Sequence, residues 1–329
     1  MNKLLPDRSK QNNFFICDIT DTFKDDMASM EHPIFSLNKA IDTRVLRYER
    51  NNVVIEVSPS VKGLATIYDK DILLYLASAL VNAKNNNEAI SKAVKFSAYD
   101  YLAATNKSFG GTQYQVFKDG LERLAGTRIQ TNIKTNSVEI TSNFGLIESF
   151  TIIKENSKGK AIAVEVVLSD WFYNSILGNE VLTIHRDYFR LRKPTERRLY
   201  ELARKHCGQQ PEWKIKLTTI QEKLGITSQL KQFRFNMRSI ISDNHLPEYN
   251  IQMENDVVTF TRKQPPKPIS NYQFSKITKE DKVDKPSPTT KNESNMPILD
   301  EYALARRRFG DAAVIPEEFV SILKLQGRW

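Results

Sequence analysis

The chain has 329 residues, 40% of them hydrophobic, with 48 Lys and Arg against 39 Asp and Glu, a formal net charge of +9. That length and apolar content suit two domains with real cores, and they argue against a disulfide-stapled miniprotein or a chain that is disordered throughout. Residues 181–263 alone hold 16 Lys and Arg against 9 Asp and Glu, a surplus of +7, and a field so concentrated suits a polyanionic partner better than a merely soluble surface.

The N-terminal stretch, residues 1–13, is polar and predicted to be mobile. It has no apolar core of signal-peptide length. Residues 44–57, RVLRYERNNVVIEV, alternate and predict a hairpin turned at Asn51-Asn52. A helix from about Asp69 to Ala83 follows, with Leu73, Leu76, Ala77 and Leu80 as its buried stripe. It contains the longest apolar run, ILLYLASALV at 72–81, which is too short to cross a bilayer. A strand AVKF leads to SAYDYLAATN, where Ser97 is placed to cap a helix and Asp100 to complete a capping box. Gly110-Gly111 opens the helix TQYQVFKDGLERLAG, whose apolar face is Tyr114, Phe117, Leu121, Leu124 and Ala125 and which Gly126 closes. Four strand candidates come next, RIQTNIK, SVEITSN, LIESFTIIKE and AIAVEVVLS, with turns expected at Asn136-Ser137 and Lys158-Gly159.

The pattern then recurs. After a helix Asp170–Leu177 comes PTERRLYELARKHCG, with Pro194 in its first turn, then a strand EWKIKL and a short helix TTIQEKLG. The segment Ser228–Asn244 is the most informative stretch. Leu230, Phe233, Met237, Ile240 and Ile241 recur at three- and four-residue steps and form one apolar side. Ser228, Lys231, Phe235 and Arg238 lie on the other side, with Arg234 at the edge. A hairpin, YNIQMENDVVTFTRK, follows. The order of helix, turn, basic helix and hairpin is that of a winged helix-turn-helix, whose second helix enters a DNA major groove. Phe117, Leu121 and Leu124 of the first unit recur 116 residues later as Phe233, Met237 and Ile240.

The predicted architecture is therefore α+β, two tandem winged helix-turn-helix domains. The expected boundaries are 1–13, 14–180, 181–263, a disordered Pro-, Lys-, Ser- and Asn-rich linker at 264–296, and an amphipathic C-terminal segment at 297–329 with Phe319, Ile322 and Leu323 on one face. A short amphipathic piece after a tether suits docking on a partner or folding back on its own domain.

The residue types suggest a division of labour. In the second unit, Lys231, Arg234 and Arg238 offer arginine and lysine donors to guanine edges, Gln232 an amide for adenine, and Phe235 an apolar contact for a thymine methyl or for the other unit, with Ser228 beside them. Arg190, Arg192, Lys193, Arg197 and Arg198 form the densest basic cluster and are expected to hold phosphates. The competing reading pairs one or two of the five with Asp187, Glu196 or Glu201. The first unit presents Thr112, Gln115, Asp119 and Arg123. Asp119 repels phosphate, so this unit is expected to bind DNA more weakly or to serve a protein partner as well. Lys107, Arg128 and Lys134 remain as phosphate contacts around it.

Catalysis finds little support. His32, His185, His206 and His245 show no paired or HExxH spacing, and there is no GxxxxGK[ST] phosphate loop. Cys17 and Cys207 lack zinc spacing and are too few for a disulfide framework, so a reducing cytoplasm is expected, with no metal and no cofactor.

The blocks DDMASMEHPIFSL, SPSVKGLATIYDKDIL, GTRIQTNI, FGLIESF, VLTIHRDYFRLRKPTERRLYELARKHCG and FRFNMRSIISDNHLPEY resemble the replication initiator protein A family of bacterial plasmids, over about residues 14–262. The resemblance implies two winged-helix domains that bind repeated origin DNA. It also implies a cytoplasmic protein that opens or marks the origin and recruits the host initiator and replicative helicase. Dimers that repress their own gene, and monomers active at the origin, are further implications. It carries over to Lys231, Arg234 and Arg238 and to the Arg190–Arg198 cluster. The alternative is a winged-helix transcriptional repressor that binds an operator palindrome and has no replication role.

Overall fold

Alternating apolar residues and short caps build the fold in chain order. The structure, a computed structural model, describes residues 4–8, 23–50, 53–132, 134–135, 138–139, 143–154, 161–208 and 210–263. The predicted mobile start over most of 1–13, the Asn51-Asn52, Asn136-Ser137 and Lys158-Gly159 turns, the linker 264–296 and the segment 297–329 lie outside the described residues.

Strand β1 (Phe23–Asp26) runs straight into α1 (Met27–Glu31), capped where the Asp26 carboxylate accepts from the Ser29 N–H at 2.8 Å. The predicted hairpin is present as β2 (Leu46–Arg50) and β3 (Val53–Ser58), paired antiparallel with Leu46 opposite Val57. Helix α2 (Lys70–Asn85) buries Leu73, Leu76, Ala77 and Leu80 as its periodicity requires. Then come β4 (Ala93–Phe96), α3 (Ala98–Ala104) and α4 (Gly111–Gly126). Ser97 caps α3 by accepting from the Tyr99 N–H.

Four short strands follow, β5 (Arg128–Thr131), β6 (Lys134–Thr135), β7 (Val138–Glu139) and β8 (Phe144–Gly145). Strands β5 and β8 extend the hairpin into a four-stranded sheet, order β2-β3-β5-β8. Strands β9 (Ile147–Lys154) and β10 (Ala161–Leu168) form a long hairpin, and β4 joins it in the order β4-β10-β9.

Helix α5 (Asp170–Leu177), strand β11 (Val181–Ile184) and a 3-10 turn at Arg186–Arg190 lead to α6 (Pro194–His206). The rest is β12 (Glu212–Lys216), α7 (Leu217–Lys223), α8 (Leu230–Asp243), β13 (Tyr249–Glu254) and β14 (Val257–Arg262). The sheet order is β12-β14-β13. This repeats β4-β10-β9 strand for strand: the strand before the two helices pairs with the second strand of the hairpin. The helices between match too, α3 with α7 and α4 with α8. The first unit differs by the insertion β5–β8.

The two units share one compact body, Met1–Pro268. The expected boundary at 180/181 falls where β11 begins, yet β11 pairs antiparallel with β1, Phe23 opposite Ile184. Helix α6 is the axle. It buries Leu199, Tyr200, Leu202 and Ala203, and also Glu196, Arg197, Arg198 and Glu201, so it is surrounded on nearly every side. Gly225, in the α7–α8 turn, adopts φ +69° and sits against the first unit's hairpin: a Cβ there would stand 2.7 Å from the Tyr48 hydroxyl and 3.0 Å from Pro33.

Candidate nucleic-acid interface

Helix α8 is held from behind. Phe233, Met237 and Ile240 are buried at 1%, 0% and 4% exposure, each contributing about 1.5–3 kcal/mol as an upper bound on apolar burial. Its C-terminus ends on Asn244 in the left-handed region at φ 45°, whose N–H bonds the Ile240 carbonyl. The Asn244 side chain accepts from the Ile251 N–H, tying the helix end to β13. The helix starts at Leu230, so Ser228 lies in the exposed turn before it, its carbonyl accepting from the Gln221 amide at 2.6 Å.

With that side committed to the core, the opposite side faces solvent. Lys231, Gln232, Phe235 and Arg238 are exposed, Phe235 at 67%. Among the described residues the side chains of Lys231 and Arg238 have no hydrogen-bond or ion-pair partner. Gln232 donates to Asn236 along the helix at 3.1 Å. Arg234 is engaged by the hairpin: its Nε and one terminal nitrogen donate to the two Asp256 oxygens at 2.8 and 2.7 Å. Arg234, Arg238, Ile241, Ser242, Met253 and Asp256 line an open hollow of about 520 Å³ between α8 and the β13–β14 turn.

The corresponding face of α4 has other chemistry. At the same offset, Lys231, Gln232, Arg234, Phe235 and Arg238 are replaced by Gln115, Val116, Lys118, Asp119 and Glu122. One lysine faces two acids. Thr112 and Gln115 are exposed, and Gln115 donates to Asp119. Arg123 does not project into solvent as expected. Its guanidinium makes two 2.7 Å hydrogen bonds to Asp69 and braces α4 against the start of α2.

The basic cluster before and within α6 requires the largest correction. Arg197 and Arg198 are 2% and 3% exposed and are not available to phosphates. Arg197 donates to Asp71 at 2.6 Å and to the Phe189 and Leu191 carbonyls, and lies over the Tyr68 and Tyr188 rings. Arg198 donates to the Ser29 and Met30 carbonyls at 2.7 and 3.0 Å, to Glu201 at 2.9 Å and to the Lys223 carbonyl at 3.3 Å. Glu201 also meets Lys70 at 3.1 Å, and Lys70 meets Asp25 at 2.8 Å. Burial works against the Lys70 charge, but Asp25 and Glu201 outweigh it and raise its pKa. These ions bind α6 of the second unit to β1, α1 and α2 of the first.

The rest of the cluster divides. Arg190 donates to the Leu5 carbonyl and to Asp187, and Lys193 pairs with Asp243 at 2.7 Å. Arg192 is exposed, with no side-chain partner among the described residues. Lys107, expected at a phosphate, is bound to Asp71 at 2.7 Å with its side chain 19% exposed. Arg128 is exposed and held by Asn143 through its side chain and backbone carbonyl. For Lys134, the structure describes only its place in β6.

Among the described residues, Glu196, Asp243 and His245 bring possible metal-ligand atoms within 4.8 Å of one another. The Lys193 ammonium already supplies a counter-charge there, 2.7 Å from Asp243 and 3.8 Å from Glu196. His206 stacks on Trp213 and meets Glu31 at 2.7 Å, while His185 Nδ1 accepts from the Asp187 N–H. No helix among the described residues is long and apolar enough to cross a membrane.

These features define a mixed α/β protein with a duplicated two-helix-and-hairpin unit and a basic helix face exposed on one copy. Domains 2 and 3 of RctB share the fold: one crystal structure aligns with a TM-score of 0.51 at 13% identity, over 72% of this chain and 96% of that one. A second RctB structure of the same domains aligns at 0.45 and 16% identity, over 70% of this chain and 95% of that one. A protein of Wigglesworthia glossinidia brevipalpis, provisionally named a replication protein, is 41% identical over 267 residues, 79% of this chain and 96% of its own. The sequence model of the Replication initiator protein A family matches residues 24–251. The chain belongs to that family, and its role is in the initiation of replication.

Proposed function

We propose that the chain initiates plasmid replication by binding repeated origin DNA through two winged helix-turn-helix units, with α8 as the principal reader. The observation that carries this reading is the exposed α8 face, where Lys231, Gln232, Phe235 and Arg238 stand in solvent on a helix anchored by Phe233, Met237 and Ile240. Lys231 and Arg238 are assigned to guanine edges, Gln232 to adenine and Phe235 to a thymine methyl. Ser228, in the turn, and Arg192 are assigned to phosphates, where they set register and salt dependence without reading sequence. Lys193 and Arg190 reach phosphate only by giving up their acidic partners.

The first unit contacts DNA more weakly, through Thr112, Gln115 and the exposed Arg128, because Asp119 and Glu122 stand on its helix face. Two units in one chain favour direct repeats over a palindrome, and this favours the initiator over the repressor. Origin opening follows from binding energy and host help, with recruitment of the host initiator and helicase, and no bond is made or broken by this chain. Self-repression by a dimer belongs to the same proposal. The test is footprinting on the plasmid's origin with random DNA as competitor, where regular protection of direct repeats is expected.

A further inference from the structure

The geometry points to Asp256 as a specificity-determining residue: its carboxylate clamps Arg234 so that the guanidinium presents its outer edge to a base and is denied to the phosphate backbone. This rests on the proposed DNA-binding role of α8 and concerns a residue of the hairpin, not of the helix.

Asp256 is fixed in place by the backbone. Glu254 pairs with Val257, which leaves Asn255 and Asp256 as a two-residue turn, and both have positive φ, 49° and 58°. Such a turn matches the twist of its strands and is stiff. The Asp256 carbonyl also accepts from the Leu217 N–H at 2.8 Å, pinning the turn to the start of α7. The carboxylate therefore meets α8 in one orientation.

The pairing uses one edge of the fork. Asp256 takes the Nε–H and one N–H of the nearer terminal nitrogen. A guanidinium has five N–H donors, so three remain, and two of them, one from each terminal nitrogen, form the end-on edge that matches guanine O6 and N7. Fixing the side chain beforehand removes ordering cost at binding. The negative charge beside Arg234 also opposes a phosphate at the same place. Folding stability does not account for the pair, because the Arg234 and Asp256 side chains are 28% and 48% exposed and ion pairs so open to water contribute little. Lys118, which stands on α4 where Arg234 stands on α8, instead reaches Glu122 on its own helix at 3.8 Å, with no fork to orient.

The experiment titrates the full chain with an origin-repeat duplex and a random duplex of equal length, at fixed salt, by fluorescence anisotropy. Asp256→Asn is the informative variant, since asparagine tolerates positive φ and keeps the carbonyl bond to Leu217. It is expected to weaken origin binding on the order of tenfold while random binding strengthens, so that discrimination falls from both sides. Arg234→Lys keeps the charge but loses the fork, and should weaken origin binding with little change on random DNA. If Asp256→Asn strengthens both duplexes alike, the acid is only an electrostatic brake; if it changes neither, it serves only the turn. Either result overturns the inference. A wild-type chain that fails to discriminate the two duplexes overturns the DNA reading itself, and is distinct from those outcomes.

Discussion

Replacing Arg198 with alanine should unfold the molecule more readily and leave its intrinsic contact with DNA untouched. The guanidinium is buried and makes hydrogen bonds to three backbone carbonyls, those of Ser29, Met30 and Lys223, and to Glu201. The variant strips the α1 carbonyls of donors and leaves Glu201 with Lys70 and the Tyr188 hydroxyl. Removing one partner of a buried ion pair costs about 3–5 kcal/mol, a large part of the roughly 5–15 kcal/mol that stabilises a typical folded protein. With an m-value of about 3 kcal/mol/M, the urea midpoint falls by roughly 1–2 M. Tryptophan fluorescence reports the transition, since Trp171 is buried and Trp213 is sandwiched between His206 and Phe260. The control is Arg192→Ala, at an exposed side chain, which should leave the midpoint within the error of the measurement and weaken all DNA alike. An unchanged midpoint for Arg198→Ala, with uniformly weakened DNA binding, would refute the reasoning and return Arg198 to the phosphate-contact role that composition suggested.

Three further outcomes follow from the structure. Arg238→Ala should cost about 1–3 kcal/mol at the origin site and relax sequence preference, measured by competition with point-substituted duplexes. Burial lowers the His32 pKa to about 4, with Lys205, Arg198 and Lys223 acting in the same direction against Glu31. The unfolded chain then takes up the proton first, so stability is fully present above about pH 6.5 and declines as pH falls towards 4, by at most about 3 kcal/mol. Urea midpoints across that range should fall in the wild type and flatten in His32→Asn. Gly225→Ala puts a Cβ 2.7 Å from the Tyr48 hydroxyl at positive φ, and should lower the melting temperature by several degrees.

The helices were legible because their apolar spacing is local. Phe233, Met237 and Ile240 are buried where the three- and four-residue period placed them, and the matching residues of α4 are buried as well. The side of α8 left to solvent followed from the same period. The destination of a charged side chain was not legible, because it depends on partners far along the chain. Arg198 reaches carbonyls 169 and 168 residues away, and Arg197 an aspartate 126 away. A cluster that looks like a phosphate-binding surface by composition is thus mostly an internal brace. No local signal marked it: Leu199, Tyr200, Leu202 and Ala203 gather on one side of the helix and leave Arg197 and Arg198 on the polar side, as a solvent-facing basic surface would. Lys107 and Arg123 were misplaced for the same reason, since Asp69 and Asp71 at the start of α2 claim them. The β1–β11 pairing joins segments about 160 residues apart and carries no local mark. The Asp256 clamp was closer to view, because a two-residue Asn-Asp turn brings an acid to the tip of the hairpin beside α8.

The most direct test of the central claim is footprinting of the full chain on its plasmid's origin region at physiological salt, with excess random DNA as competitor. Regular protection on one face of direct repeats is expected, lost in Arg238→Ala and retained in Arg128→Ala with weaker overall affinity. Protection confined to a promoter palindrome, or protection that random DNA abolishes, would contradict that claim.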